Sequence, residues 1–158
     1  MIEFLSNFPD WLKIVISAGV PVFELRFSIP YGILILDMPY LNTYVLSVIG
    51  STIPAPFILW LIPSILEWMK STKTFGKLGT WIYDRGINKS KSLDKYSFWG
   101  LVIFIAIPLP GTGVWTGCLA ASLIGVELKK GIAAAIVGTM IAGVAMVLLS
   151  SIFGLAIM

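Results

Sequence analysis

Ile107-Pro108-Leu109-Pro110-Gly111-Thr112-Gly113 cannot run as continuous helix. Two prolines in three residues remove two backbone donors and clash with the preceding turn, and the glycines free the chain to bend. The run sits inside a hydrophobic stretch from Phe98 to Val126, longer than the roughly 20 residues a simple helical crossing needs. In lipid, the backbone groups freed by such a break must be sheltered by protein or face water in a cavity. The stretch therefore reads as two half-length helices meeting at a break: a re-entrant hairpin that goes in and returns on the same side. A helix starting near Val114 would aim its positive N-terminus at the bilayer interior, which favours an anion. Thr112 and Thr116 add hydroxyls, and Trp115 either lines a cavity or faces lipid. The alternative is a tight turn that binds nothing.

A second interrupted stretch lies at the other end of the chain. Trp11 to Leu36 is hydrophobic but contains Pro21, Glu24, Arg26, Pro30 and Gly32. Glu24 and Arg26 are the only charges deep in a hydrophobic stretch, and burying a charge in lipid is costly, so such residues are read first as functional. On a helix, residues two apart point in different directions. Unwinding between Pro21 and Pro30 would let both converge on one cavity. The competing reading is a structural ion pair tying the hairpin to a neighbouring helix. Phe27-Ser28-Ile29-Pro30-Tyr31-Gly32 can be laid over Ile105-Ala106-Ile107-Pro108 and the following Gly111. Interrupted segments at corresponding positions of two halves point to a transporter site.

The two remaining stretches, Leu41 to Leu66 and Ile132 to Met158, read as full spans. The earlier one carries Pro54, Pro56 and Pro63, so a kink is predicted, with Ser51 and Thr52 satisfying freed backbone groups. The later one repeats small residues at helical spacing: Ala134, Gly138 and Ala142 on one line, Gly131, Ala135, Thr139 and Gly143 on the next. That is a face for close helix packing, within the chain or between copies.

Composition agrees. Hydrophobic residues make up 58% and charged residues 12% of 158, with a mean hydropathy of +0.94. A soluble domain is about a quarter charged, and a chain this short has too little interior to hide so much apolar surface. With no histidine and one cysteine, Cys118, the chain offers no Cys/His zinc site, no internal disulfide and no histidine relay. Cys118 reads as packing, and Asp37 as solvated. No nucleotide loop or catalytic set appears, so neither an enzyme nor a cofactor is expected.

Charge gives orientation. Seven of the eleven Lys and Arg fall between Lys70 and Lys95, which places Glu67 to Ser97 in the cytoplasm. Trp68, Met69, Phe75, Leu78 and Ile82 recur at helical spacing there, as a surface helix would, with a solvated loop the alternative. Such a basic loop between spans serves topology, so nucleic acid is not an expected partner. The N-terminus carries Glu3 and Asp10 and no basic side chain, unlike a cleaved signal peptide. If both interrupted stretches cross fully, Glu67 to Ser97 stays inside but Lys129 and Lys130 fall outside, against the positive-inside rule; if both are re-entrant, Lys129 and Lys130 also face the cytoplasm. Both termini then lie outside. The predicted fold is an all-α integral membrane protein, multi-pass in the plasma membrane. It is an inverted repeat of two units, each a re-entrant hairpin followed by a transmembrane helix. Residues 1–66 form the first repeat, 67–97 the basic loop and 98–158 the second repeat.

Phe23-Glu24-Leu25-Arg26-Phe27-Ser28-Ile29-Pro30-Tyr31-Gly32 and Ile107-Pro108-Leu109-Pro110-Gly111-Thr112-Gly113-Val114-Trp115-Thr116-Gly117 resemble the two signatures of the putative small multi-drug export protein family. The resemblance covers nearly the whole chain and implies drug export. The arrangement is also distantly similar to the DedA, or VTT, membrane proteins. That likeness implies paired re-entrant hairpins and movement of lipids, phosphorylated carriers included. In that pattern the acidic residue belongs to the first hairpin and an arginine to the second. Glu24 matches the acidic position, whereas Arg26 sits in the first hairpin and the second has no arginine.

Three functions follow. One is a small secondary transporter, with proton or cation coupling at Glu24 and a site built from Glu24, Arg26, Pro30, Pro108, Pro110, Gly111, Thr112, Gly113, Trp115 and Thr116. Another is a lipid flippase or scramblase, in which Arg26 and the helix start after Gly113 hold a phosphate headgroup. The third is a scaffold that moves nothing and assembles through the small-residue face. Membrane lipids are expected partners in each case, and a homodimer is expected because so short a chain makes a thin wall around a pathway.

Overall fold

The computed structural model describes residues 8–71, 98–109 and 112–157. All regular structure among them is helical. In chain order the elements are α1 (Asp10–Gly19), α2 (Glu24–Pro30) running into a π turn (Tyr31–Ile35), α3 (Tyr40–Thr52), α4 (Pro54–Ser71), α5 (98–106), α6 (Val114–Ile124) and α7 (Leu128–Ile157). Helix α4 continues through Glu67 and Trp68, so the start of the expected basic loop is still helix. The remainder of that loop, with its expected surface helix, lies outside the described residues.

Two helices are long and apolar enough to cross a membrane: Tyr40–Ile65, which joins α3 to α4, and Leu128–Gly154 in α7. At about 1.5 Å per residue each reaches nearly 40 Å, beyond a hydrocarbon core of about 30 Å. Neither is the core helix of a soluble protein. Phe57, Trp60, Ile152 and Phe153 are each more than 60% exposed, an arrangement water would penalise and lipid would not. The only interruption is Ile53, a single residue between α3 and α4 whose backbone stays helical (φ −51°, ψ −44°) ahead of Pro54. Thr52 Oγ1 donates to Val48 O within its own helix (2.7 Å), as expected. Ser51 does not act locally. Its hydroxyl donates to Ala18 O (3.1 Å) in the last turn of α1, where carbonyls have no helical partner.

Both interrupted stretches are broken, and each break has a local cause. Val20 precedes proline and is extended (φ −80°, ψ 135°), which stops α1 at Gly19. The chain re-enters helix at Glu24 through a left-handed residue (φ 47°). The unwinding expected from Pro21 to Pro30 is therefore confined to residues 20–23. Pro30 is tolerated because it ends α2, and the widened turn after it re-pairs the backbone through Leu36 N–H to Tyr31 O (3.0 Å). In the later stretch, α5 stops ahead of Pro108, and α6 starts at Val114 as expected, behind Gly113 at φ 117°.

The limbs of each broken stretch lie side by side. A Cβ on Gly117 would sit 2.6 Å from Ile105 Cγ1 and 3.3 Å from Leu101 Cδ1. Were α5 and α6 stacked end to end, residues 101 and 117 would be about 24 Å apart. Likewise a Cβ on Gly32 would meet Ile14 of α1 at 2.9 Å. The element order thus occurs twice: limb, break, short limb, corner, long helix. Each short limb begins at a residue of positive φ (Glu24, Gly113) and ends at another (Asp37 at 51°, Gly125 at 79°). Of the residues overlaid in the sequence, 27–30 are helical, whereas 107–109 are not.

Helix α7 packs against α2, α3, α4 and α6 through its small residues. Ala134, Ala135 and Thr139 are fully buried. A Cβ on Gly138 would meet Ile105, one on Gly131 would meet Leu59, and one on Gly143 would meet Tyr44. Both small-residue lines are used within the chain. Cys118 is fully buried in the same cluster, as packing.

Candidate functional site

The two breaks meet. Glu24 is 96% buried and turns its carboxylate to the start of α6, where Oε1 accepts the Trp115 N–H (3.3 Å). The Cα of Gly113 is so close that any Cβ there would collide with both carboxylate oxygens. The helix N-terminus expected to favour an anion therefore holds one supplied by the chain itself.

Arg26 reaches the same loop from another side. Its Nη2 donates to Thr112 Oγ1 (2.7 Å) and, at 3.4 Å, to Ile107 O. Thr112 Oγ1 also lies 2.7 Å from Ile107 O and 2.8 Å from Leu109 O, so this one side chain ties together the carbonyls on either side of Pro108. The sequence reading of a Glu24–Arg26 ion pair is not realised. Among the described residues the ion pairs are Lys13–Asp10 (2.8 Å) and Lys130–Glu127 (3.4 Å). Glu24 and Arg26 instead grip successive parts of the second break, even though both stand on a helix. A guanidinium has five N–H donors, so several remain unused.

The contact runs both ways. The Trp115 indole Nε1–H donates to Gly19 O (3.1 Å), the carbonyl that ends α1 at the first break. Trp115 spans the breaks and lines an apolar cleft of about 600 Å³ with Val15, Gly19, Ile53, Phe57 and Leu119. The clasp lies about midway along the first span. Gly50 packs directly on Ala18 and Val15, and Ser51 bonds Ala18 O, near the middle of Tyr40–Ile65.

Not every expected residue joins in. Thr116 Oγ1 turns back to Gly113 O (3.4 Å). Pro30 stands at the far end of α2, and Pro108 shapes the break without contacting the first hairpin in any hydrogen bond. Pro110 and Gly111 lie outside the described residues. The sequence reading missed Gly19 as acceptor, although a tryptophan N–H in an apolar stretch needs a partner. It also missed Ser28, whose Oγ donates to Ser47 Oγ (2.8 Å), both fully buried, one turn beyond Glu24.

A sequence profile described as putative small multi-drug export protein matches residues 24–145. Neither the curated proteins nor the solved structures give a match. The matched segment starts at Glu24 and takes in α2, the first span, the second break and the first two thirds of the second span.

Proposed function

Since the chain belongs to the putative small multi-drug export protein family, we propose that it is a secondary transporter whose site is the clasp between the two breaks. The observation that carries this reading is the seating of the Glu24 carboxylate on the α6 N-terminus against Gly113. A carboxylate held there in the middle of a span can be released by a proton or by a cationic substrate. Release removes the charge-assisted bond that locks the two hairpins together. Moving one repeat against the other then exposes the site to alternate faces. In this reading the broken stretches are re-entrant, the two units are inverted, and Lys129 and Lys130 face the cytoplasm with the basic loop, in the plasma membrane. Residues 1–66 and 98–158 are the moving units. A second copy completes the wall around the pathway.

The test is transport in proteoliposomes under an imposed pH gradient, with a panel of lipophilic cations. Wild-type protein should move a cation in exchange for protons, and Glu24→Gln should fold but lose the coupling. Coupled transport by Glu24→Gln at the wild-type rate would refute the assignment.

One observation favours a second reading. Arg26 lies in an apolar hairpin with no carboxylate within ion-pair distance and with spare donors. A phosphate headgroup would fit those donors, as a lipid flippase or scramblase requires. Dithionite bleaching of fluorescent phospholipids in vesicles, with Arg26→Ala beside the wild type, separates the two. The scaffold reading loses its motive, because the small-residue face of α7 is occupied within the chain.

A further inference from the structure

Helices α2 and α3 run antiparallel, and their facing positions form a polar seam. On α2 and the π turn that continues it, Glu24, Ser28 and Gly32 follow at four-residue spacing and fall on about the same face. On α3, Ser51, Ser47 and Thr43 do the same in reverse. Two rungs are seen directly: Ser28 Oγ to Ser47 Oγ at 2.8 Å, and Gly32 against Thr43, whose Cγ2 and Oγ1 would lie 2.5 and 3.1 Å from a Cβ on the glycine. The same spacing carried one step further pairs Glu24 with Ser51 by register, with the Ser51 hydroxyl donating to Ala18 O. Ser28, Thr43 and Ser47 are fully buried and Ser51 nearly so.

Ser and Thr often join helices in membranes, and then their hydroxyls are paired. Thr43 departs from that pattern. Its Oγ1 is buried and has no hydrogen-bond partner. A buried unsatisfied hydroxyl costs about 1–3 kcal/mol, and a partnering water removes that cost. Thr43 stands one turn inside α3, next to the corner that holds exposed Asp37. From Thr43 to Ser51 the seam rises about 12 Å, from near one end of the span to the depth of the clasp.

We propose that this seam is a hydrated proton path, lined by Thr43, Ser47, Ser28 and Ser51, that connects Glu24 with the aqueous face at the α2–α3 corner. The inference rests on the reading of Glu24 as the coupling group. A proton from water at that face passes along the hydroxyls and bridging waters to a Glu24 carboxylate oxygen. The carboxylate becomes a neutral acid, and its charge-assisted bond to the Trp115 N–H is lost. The charged neighbours bearing on Glu24 are few. Helix α2 contributes Arg26, and α6 contributes the buried, uncharged thiol of Cys118. On α1, Asp10 and Lys13 pair with each other at the far end. Helix α3 brings only Tyr40 and Tyr44 at its outer end, the latter donating to Met140 O, and α7 only Lys129 and Lys130 at its start.

The test is time-resolved infrared spectroscopy of the protein in lipid after a pH step, read at the carboxylic acid C=O band. Glu24→Gln identifies the band. Thr43→Val, which keeps shape and removes the hydroxyl, and Ser47→Ala should each slow its rise by about tenfold, a barrier increase near 1.4 kcal/mol. Thr43→Ser should restore the rate. Ser150→Ala removes the other unpartnered buried hydroxyl among the described residues, on α7 away from the seam, and should leave the rate unchanged. Wild-type rates in both Thr43→Val and Ser47→Ala would reduce the seam to packing and overturn the path, with Glu24 still the coupling group. A wild-type band persisting in Glu24→Gln would instead sink the coupling reading and the destination of the path with it.

Discussion

Gly113→Ala puts the clasp to its sharpest test. Gly113 adopts φ 117° and ψ −170°, a region open almost only to glycine. Forcing alanine into it costs about 1–3 kcal/mol. The new methyl would also occupy the space of the Glu24 carboxylate. Glu24 must then leave the α6 N-terminus, losing a hydrogen bond with an ionised acceptor worth about 1.5–3 kcal/mol. The full effect is on the order of 2.5–6 kcal/mol. A double-mutant cycle separates the parts. In a Glu24→Ala background the methyl has room, so Gly113→Ala should cost only its backbone share. The two changes should therefore couple by about 1.5–3 kcal/mol. The assay is reversible unfolding in mixed detergent micelles. Gly100→Ala serves as control, since a Cβ there meets nothing within 4 Å and sits in helix α5. A Gly113→Ala penalty below about 0.5 kcal/mol, or additivity with Glu24→Ala, would show that Glu24 does not occupy this place.

Other expectations follow from the same geometry. Trp115→Phe keeps the ring but removes the N–H donated to Gly19 O, and should cost about 1 kcal/mol in that unfolding assay. Gly50→Ala would place a methyl 2.5 Å from Val15 O and 2.8 Å from Ala18 Cβ, pushing α1 off α3. A loss of about 1–3 kcal/mol is expected, and a neutral result would contradict the close helix approach. Arg26→Gln should raise the proteolytic sensitivity of the loop around Ile107 and Leu109, whose carbonyls depend on Thr112 and Arg26, while Glu24→Gln should leave that loop protected.

The sequence made the breaks legible because proline and glycine act locally. Pro21 ends α1 and Pro108 ends α5 through the residue just before each, and α6 starts at Val114 where expected. The extent of unwinding was less legible. Nothing in residues 24–30 announces that they stay helical, since the conformation of Glu24 depends on its seat at α6, more than 90 residues away. The same distance hid the fate of Glu24 and Arg26. Residue type marked both as important, but Glu24 meets a backbone N–H and Arg26 a carbonyl and the Thr112 hydroxyl of the other break, and backbone atoms leave no trace in composition. The small-residue lines on α7 were visible, whereas their occupants, Ile105, Leu59 and Tyr44, are set by tertiary packing.

The bond from Trp115 to Gly19 O spans 96 positions of the chain. At a synthesis rate of about 5–20 residues per second, the first hairpin waits roughly 5–20 s in the membrane before its partner emerges. During that interval the Gly19 carbonyl and the Glu24 carboxylate have no native partner, in a medium that penalises unmet polar groups. The nascent first half must therefore stay near water or be shielded by the insertion machinery until the second break arrives. Mutations that delay or weaken the second hairpin would then appear as failures of biogenesis and early degradation, upstream of any defect in the mature protein.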